Sequence, residues 1–372
     1  MNQLGQYCTL TTWGESHGDA IGGVIDGLPS GLVINMDVIH ADMQRRRPGQ
    51  RKDVSARKEP DQLTIHSGVY LGKTTGAPLS FSIVNQDVRS QDYPQKLIRP
   101  GHADATYLAK YGHYDPRGGG RSSARETAIR VAAASMIKQL LKPLGIDVWA
   151  YLCQVGPFHM PVLQQRPEDA QDALINGSFP CPDQKLSQDM QNHIQSLKEA
   201  GNSCGGCVGF VISGLPKGLG EPVYDKFEAR LAQSMLSIPA SKGFDIGQGF
   251  GAAAMTGLAH NDSPNEHDGF DSNAAGGLLG GITNGDPVYG RVAFKPTSSI
   301  RLSQKTIDYD AKPTQLVLQG RHDPCVAVRA TVVVEAMCWL TIIDLLQPYW
   351  QQQSMQKMLD QHSTAVSQEG SL

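Results

Sequence analysis

The sequence has no long apolar run and no excess of charge of either sign. Its 372 residues hold 33 Lys and Arg against 36 Asp and Glu, which gives a formal net charge of −3. A nearly neutral chain has no general attraction for nucleic acid or for an acidic lipid surface. No stretch of about 18 apolar residues is present, and the opening MNQLGQYCTL does not resemble a secretory leader. We therefore expect a cytoplasmic protein with no membrane and no nucleic-acid partner.

Cysteine is sparse and odd in number, with seven residues in the chain. A protein without an export signal keeps its thiols reduced, so a disulfide framework is not expected. Cys204 and Cys207 form one C-x-x-C, but the second half of a zinc site is missing. Glycines bracket the pair in GNSCGGCVG, which favours a tight loop before a strand over a redox or metal site. We predict no metal site and no catalytic role for this pair.

Glycine, by contrast, is abundant. The chain has 40 glycines, whereas an average usage of about 7% predicts about 26. They gather in GESHG, GGGRSS, KGFDIGQGFG and AAGGLLGGITNG. Glycine allows close backbone approach, so these loops could converge on a flat or phosphorylated ligand. The alternative is that they are structural turns.

Hydrophobic periodicity predicts strands and helices mixed in an α+β domain. Ser123 and Glu126 form a capping box that begins an Ala-rich helix ending near residue 141. Further helices are predicted at 37–47, 186–199, 224–236 and 325–346, and strands at 7–12, 22–27, 146–154, 207–213 and 289–294, with a hairpin or adjacent strands within 62–85. We expect one catalytic domain over 1–350 and a poorly ordered polar tail over 351–372.

The strongest local charge lies between Arg45 and Lys58, where seven basic residues face one acid, Asp53. No aromatic residue is interleaved for base stacking, so a small anion is favoured over a nucleic acid. Guanidinium groups bind phosphate and carboxylate in a bidentate manner, and further arginines stand in RPGHAD, RSSAR and RHDPC. The alternative for the basic segment is a solvated face.

Two histidines stand among glycines, His17 in GESHG and His102 in RPGHAD. Histidine is suited to proton transfer near neutral pH, so both are candidate acids or bases, although each could be only a hydrogen-bonding residue. The segment GRSSARE places hydroxyls and N–H groups at a helix N-terminus. That arrangement favours an anion, and it equally fits a plain helix cap.

Three motifs are near-misses. GVYLGKT at 68–74 is one residue short of a phosphate loop. GQGFGA at 247–252 matches G-x-G-x-x-A, but no βαβ pattern surrounds it, so a Rossmann domain is not expected. GESHG has the spacing of an esterase nucleophile elbow, yet a second strand rather than a helix is predicted to follow. A serine hydrolase is therefore the third-ranked function.

Taken in order, these segments resemble the chorismate synthase family from near the N-terminus to about residue 340. The resemblance lies in TTWGESHG, RRRPGQ, RPGHAD and GRSSARETAIRVAA, and then in SIPASKGFDIG, NAAGGLLGGITNG, FKPTSSI and GRHDPC. It implies a β-α-β sandwich with helices packed between antiparallel sheets, reduced FMN as cofactor and a homotetramer. It also implies an anti 1,4-elimination of phosphate and a proton from 5-enolpyruvylshikimate 3-phosphate, giving chorismate without net redox change. That reaction is the last common step of the shikimate pathway to aromatic amino acids.

The resemblance also implies a role for particular residues of this chain. Proton transfer falls to His17, His102 and Asp323. The implied substrate ligands are Ser16, Arg46, Lys52, Arg99, Arg125 and Arg321. The implied FMN ligands are Arg46, Lys52, Arg121, Ser122, Ser123, Pro239, Ala240, Gly280, Lys295, Pro296, Thr297, Ser298, Ser299 and Arg321. Lys52 stands where the family more often has arginine, which replaces a bidentate contact with a point charge.

Other functions stay open on the sequence. An FMN-dependent oxidoreductase acting on a phosphorylated metabolite also fits the glycine loops and arginines, but it would consume a stoichiometric reductant. A non-enzymatic anion-binding or RNA-binding protein predicts salt-dependent binding to nucleic acid. The sequence also leaves open whether the protein reduces its own flavin with NADPH or depends on a separate flavin reductase.

Overall fold

The computed structural model describes residues 2–47, 60–86, 96–115, 117–170, 172, 174–175, 178–318 and 323–369, with side chains as far as residue 360. Most of the basic segment, including Lys52, lies outside these ranges, as does Arg321.

The first sheet is built from the N-terminal quarter of the chain. Its strands and a small hairpin are β1 (Gln3–Leu4), β2 (Thr9–Trp13), β3 (Ala20–Asp26), β4 (Leu63–Ile65), β5 (Val69–Tyr70), β6 (Lys73–Thr74) and β7 (Leu79–Val84). The five sheet strands pair antiparallel in the order β1-β2-β3-β7-β4, and β5 pairs with β6. Leu79, Phe81 and Ile83 alternate along β7 and are all buried, so one face of the sheet faces the core.

The second sheet is built from the middle of the chain. The strands of this part are β8 (Asp147–Val155), β9 (Phe158–His159), β10 (Gly206–Ser213), β11 (Ser241–Ile246), β12 (Leu278–Leu279), β13 (Ile282–Thr283), β14 (Val288–Phe294), β15 (Gln304–Ile307) and β16 (Pro313–Leu316). The sheet order is β11-β14-β10-β8-β9, again antiparallel, and β12-β13 and β15-β16 are hairpins.

Helices complete the fold, and the most buried of them lie between the two sheets. They are α1 (Met36–Arg46), α2 (Asp104–Tyr111), α3 (Thr127–Leu141), α4 (Gln184–Glu199), α5 (Phe227–Leu236), α6 (Gly257–His260) and α7 (Ala327–Glu369). Helix α3 packs on β3 of the first sheet and on α7, while α7 packs on β8 and β10 of the second sheet. The predicted α+β class and the sheet–helix–sheet layering are therefore confirmed.

Helix α7 is the centre of this sandwich. Within the described ranges it is the one helix long and apolar enough to cross a membrane, but 94% of its most apolar window is buried inside the protein. Val328, Val334 and Ile342 are fully buried along it. Its apolar composition is thus that of a core helix that faces protein on all sides.

Several predicted boundaries differ from the structure. Helix α3 begins at Thr127, after a short 3-10 turn over Ala124–Glu126 that Ser123 caps, so the predicted start near Ser123 was three residues early. Helix α7 does not end near residue 346 but continues to Glu369, and the side chains of residues 351–360 are exposed. The domain boundary near residue 350 and the poor order of the tail stay predictions.

Two motif interpretations are decided by topology. The GESHG loop joins β2 to the antiparallel neighbour β3, so it has no strand-to-helix elbow. The GQGFGA segment follows β11, an edge strand that pairs antiparallel with β14, and becomes a 3-10 turn over Gly249–Ala254. Neither segment has the geometry of a hydrolase elbow or of a dinucleotide-binding turn.

Candidate active site

The GESHG loop presents a buried serine and histidine at the end of the first sheet. Ser16 is 1% exposed and His17 is 7% exposed, and the Ser16 Oγ lies 3.1 Å from the His17 Nδ1. The Asn85 side chain fixes the loop by donating to the carbonyl oxygens of Glu15 and Gly18 at 3.0 and 2.8 Å. These contacts hold the loop, and with it His17, in one place.

Two of the predicted substrate arginines meet on one carboxylate. The Arg46 Nη2 lies 2.9 Å from the Asp61 Oδ2, and the Arg125 Nη1 donates to the Asp61 Oδ1. The Arg125 Nε also donates to the Asn85 Oδ1 at 2.9 Å, which ties the pair to the GESHG loop. Arg46, Arg125 and His17 are thus brought into one connected region.

Charge in this cluster is set by burial and by the arginines. Burial alone would raise the pKa of Asp61, but the Arg46 and Arg125 guanidinium groups outweigh it and hold that pKa at about 2. Burial lowers the pKa of Arg46 to about 10, although Asp61 opposes this shift. The Asp61 carboxylate is therefore charged at neutral pH, and two buried guanidinium groups contact it.

The RPGHAD loop places His102 against the predicted cofactor segment. The His102 Nε2 lies 2.8 Å from the Ser299 Oγ, and the His102 Nδ1 lies 3.0 Å from the Pro100 carbonyl oxygen. Burial lowers the pKa of His102, and the positive charge of Arg99 adds to that effect. His102 is consequently a neutral imidazole at neutral pH.

The Arg99 side chain forms an ion pair with Asp104, just after the RPGHAD histidine. Its Nε and Nη2 contact the two carboxylate oxygens of Asp104 at 2.7 and 2.6 Å, at the start of α2. A bidentate pair of this kind holds the guanidinium plane in a fixed orientation. The structure therefore places Arg99 beside His102, with its bidentate face on Asp104.

A close approach of backbone and side chains joins the RPGHAD loop to the 295–299 segment. The Lys295 Nζ and the Ser298 Oγ both donate to the carbonyl oxygen of Gly101. Gly101 has φ +69°, and a Cβ built on it would lie 2.6 Å from the Ser298 Oγ. Only glycine fits this contact, since a side chain would push Ser298 and its neighbours away from His102.

Asp323 contacts the 295–299 segment directly and the arginine cluster through Arg329. Its carbonyl oxygen accepts a hydrogen bond from the Thr297 Oγ1 at 2.6 Å, and its Oδ2 accepts one from the Arg329 Nη1 at 2.7 Å. The Arg329 Nε also donates to the Arg46 carbonyl oxygen at 3.1 Å. Arg329 therefore links the Asp323 carboxylate to the arginine cluster.

A cavity of about 790 Å³ lies next to the GESHG loop, with Glu15 in its wall, whereas Ser16, His17, His102 and Asp323 do not line it. Arg121, Ser122 and Pro239 of the predicted FMN set line it together with Tyr107, Tyr111 and Tyr114. The Arg121 guanidinium donates to the Thr12 and Gly14 carbonyl oxygens, which fixes it at the cavity wall. The volume lies within the range of about 300–1,000 Å³ that is usual for small-molecule sites.

The other predicted cofactor residues that the structure describes lie in three places. Ala240, with φ +71°, accepts a hydrogen bond on its carbonyl oxygen from the Lys295 N–H at 3.0 Å, so it adjoins the 295–299 segment. Ser123 caps the turn before α3 by accepting from the Arg125 N–H. Gly280 lies in the β12–β13 turn at the N-terminal end of α5, whereas Pro239 follows the C-terminal end of that helix, about 15 Å away by helix length. Lys52 and Arg321 lie outside the described residues.

The C-x-x-C cysteines do not face each other as a redox pair. The interaction of the Cys204 thiol with the Cys325 thiol, together with burial, raises the pKa of Cys325. Cys207 lies in β10, where its carbonyl oxygen contacts the Cys153 Sγ at 3.3 Å. The Ser203 hydroxyl donates to the Thr297 carbonyl oxygen at 2.7 Å, so this loop instead supports the cofactor segment.

Sequence reasoning assigned no role to Asp61, Asn85 or Arg329, which join the predicted residues into one site. Asp61 stands in the KEPD motif, which was the available signal for it. Asn85 and Arg329 act through contacts that span 40 and 283 residues of sequence, and no local pattern reports such pairings.

Comparison with known proteins agrees with this architecture. The family model described as chorismate synthase matches residues 8–347. The chain is 49% identical over 353 residues to chorismate synthase of Porphyromonas gingivalis, covering 92% of this chain and 95% of that one. It is 45% identical over 346 residues to chorismate synthase of Methylobacillus flagellatus, covering 92% and 94%. A crystal structure of chorismate synthase superposes with a TM-score of 0.72 at 29% identity, over 93% of each chain. The chain therefore belongs to the chorismate synthase family, whose members are lyases.

Proposed function

We propose that this protein converts 5-enolpyruvylshikimate 3-phosphate to chorismate by anti 1,4-elimination of phosphate and a proton. The reaction needs reduced FMN and leaves no net redox change. It is the last common step of the shikimate pathway to aromatic amino acids. Membership of the family supports the proposal, and the site's own geometry gives it a chemical basis.

The observation that carries the proposal is the buried arginine pair beside His17. The substrate has one phosphate and two carboxylates, so it needs several fixed cations that water does not screen. Arg46 and Arg125 are 2% and 5% exposed, and both contact the Asp61 carboxylate. Guanidinium groups in such a setting favour phosphate or carboxylate over neutral ligands.

Proton placement follows from the histidines and Asp323. Departing phosphate needs a proton donor, and His17, oriented by its contact with Ser16, is placed for that role. On the other side of the site, Ser299 holds the neutral imidazole of His102 in place. In this proposal, His102 relays a proton to or from the bound flavin. The Asp323 carboxylate is oriented by Arg329, which suits the role we propose for it in assisting proton movement at the flavin.

The residues present fit a flavin mononucleotide. The aromatic and polar wall of the cavity near Arg121, Ser122 and Pro239 suits a flat ring system, and the glycine contact at Gly101 keeps the neighbouring segment close. We propose that Ser123, Ala240, Gly280, Lys295 to Ser299 and Arg321 complete its binding. Reduced FMN, when bound, supplies transient electron density to the substrate ring and returns to its starting redox state. The protein contributes orientation, charge neutralisation and proton placement.

The wider setting of the enzyme is also part of this proposal. We infer a cytoplasmic homotetramer, with reduced flavin supplied either by its own use of NADPH or by a separate flavin reductase.

Anaerobic phosphate release tests the proposal. The purified protein is mixed with 5-enolpyruvylshikimate 3-phosphate and with photoreduced FMN, oxidised FMN or no flavin. We expect phosphate and chorismate only with reduced FMN. Absence of both products in all three mixtures would overturn the proposal and favour the oxidoreductase acting on another phosphorylated metabolite.

A further inference from the structure

We propose that Asp61 is a positioning residue of this site, which sets the separation and orientation of the Arg46 and Arg125 guanidinium groups that receive the anionic substrate. The inference rests on the proposed function for the identity of that substrate. The contacts, burial and backbone conformation of Asp61 support it.

Asp61 bridges the two arginines with separate oxygens. Its Oδ2 accepts from Arg46 at 2.9 Å and its Oδ1 accepts from Arg125. The Asp61 side chain is completely buried, and the Arg46 and Arg125 side chains are 3% and 2% exposed. Two like charges this close would repel without the shared carboxylate, so Asp61 determines where both forks point.

The neighbouring arginine gives a contrast within one helix. Arg45 directs its Nη2 to both oxygens of Glu335, at 2.9 and 2.7 Å, and its Nη1 to Asp42 at 3.1 Å. Asp42 in turn accepts from Lys138. This second carboxylate network joins α1, α3 and α7 and has no contact with the GESHG or RPGHAD loops among the bonds of the described residues. It stabilises the core.

Arg46 is placed differently from Arg45. Among the residues with a described position, its Nη1 contacts are long, to the Thr127 Oγ1 at 3.3 Å and the Ala124 carbonyl oxygen at 3.5 Å. Its buried Nε finds no hydrogen-bond partner among the residues that the structure describes. A buried guanidinium N–H without a partner is costly unless a ligand satisfies it. Asp61 therefore holds Arg46 with donor capacity left for an anion.

The backbone at Asp61 also departs from the ordinary. Its φ is +49°, a left-handed conformation that L-residues other than glycine rarely adopt, although aspartate tolerates it better than most. Such conformations persist where the surroundings determine them, and they concentrate at functional sites. Here the contacts with Arg46 and Arg125 hold Asp61 in that backbone conformation.

The test compares Asp61→Asn with Asp42→Asn. Both substitutions neutralise a buried carboxylate that binds two cations, but only Asp61 contacts the proposed substrate arginines. Calorimetry without flavin gives the dissociation constant for 5-enolpyruvylshikimate 3-phosphate, and turnover with reduced FMN gives KM and kcat. We expect Asp61→Asn to raise the dissociation constant and KM by about tenfold or more, with a smaller change in kcat. Asp42→Asn should lower the melting temperature and leave both constants within about twofold.

If Asp61 only stabilised the fold, its substitution would change kcat and KM in a different way. Loss of folded protein lowers the apparent kcat but not KM, so an Asp61→Asn enzyme with unchanged dissociation constant and KM overturns the inference. If that variant does not fold, Asp61→Glu keeps the charge and moves the carboxylate by one methylene, and the same rise supports the inference while unchanged constants overturn it. Binding by the unaltered protein without phosphate release contradicts the proposed function alone. Absence of binding overturns both.

Discussion

At the scale of residues, the site depends on a few side chains whose protonation is set by their surroundings. His17 and His102 lie in separate loops. These loops are joined by contacts through Asn85, Arg125, Asp61, Arg46, Arg329 and Asp323 and then through the 295–299 segment. The histidines were predictable because each stands among glycines in a short motif. Asp61 was not, because its role arises only where Arg46 and Arg125 meet on it.

Replacing His17 tests its proton-donor role. We expect His17→Ala to lower kcat by about 10²-fold or more, because departing phosphate then lacks its acid. His159, an exposed histidine at the end of β9, supplies the control, and His159→Ala should leave kcat unchanged. Comparable kcat values for the two variants would contradict the role.

His102 makes a prediction about pH. Burial holds its folded-state pKa below the unfolded value of about 6.5, so the unfolded chain binds the proton first as pH falls. The stability that depends on neutral His102 is present above that pH and is lost below it. We expect the melting temperature to fall more between pH 7 and pH 5 in the unaltered protein than in His102→Asn. Equal falls would show that His102 does not titrate in this way.

At the scale of elements, strands and helices were predictable where the spacing of apolar residues matches the buried positions. Strand β7 alternates and helix α3 carries an apolar face, so both were predictable. Strand β11 was missed because Ser241–Ile246 contains glycine and charged residues and no fully buried position. Its strand conformation comes from pairing with β14, which a local pattern does not report. Helix α2 was missed because it is short and buries only Asp104.

The contact between the RPGHAD loop and the 295–299 segment can be tested with two glycines. Gly101→Ala adds a methyl group 2.6 Å from the Ser298 Oγ, and Gly112→Ala adds one in open space. Both have similar positive φ, +69° and +67°, so each substitution places a Cβ on a residue in the left-handed region. We expect kcat to fall by about tenfold or more in Gly101→Ala alone, since only that loop positions His102. Equal losses in both variants would mean that strain, and not the contact, matters.

At the scale of the whole molecule, two antiparallel sheets enclose a helical layer centred on α7. The layering followed from the family resemblance and not from the composition, which predicts only a soluble globular chain. The GESHG loop after β2 and the 295–299 segment after β14 are connected through Asn85, the arginine cluster and Asp323, although they lie far apart in sequence.

Removal of residues 351–372 tests which part of α7 belongs to the fold. The family match ends at residue 347, and the described side chains from 351 to 360 are exposed. We expect the truncated protein to melt within about 2 °C of the full chain and to keep its kcat, since little apolar surface is lost. A large fall in melting temperature would show that the tail is packed against a partner or another part of the molecule.

The central claim is an elimination that uses reduced flavin without consuming it. The most direct measurement counts chorismate formed per reduced FMN under anaerobic conditions, with no other reductant present. We predict many chorismate molecules per flavin and a flavin spectrum that is still reduced when the substrate is exhausted. One product molecule per flavin, with FMN left oxidised, would contradict the account and identify an oxidoreductase.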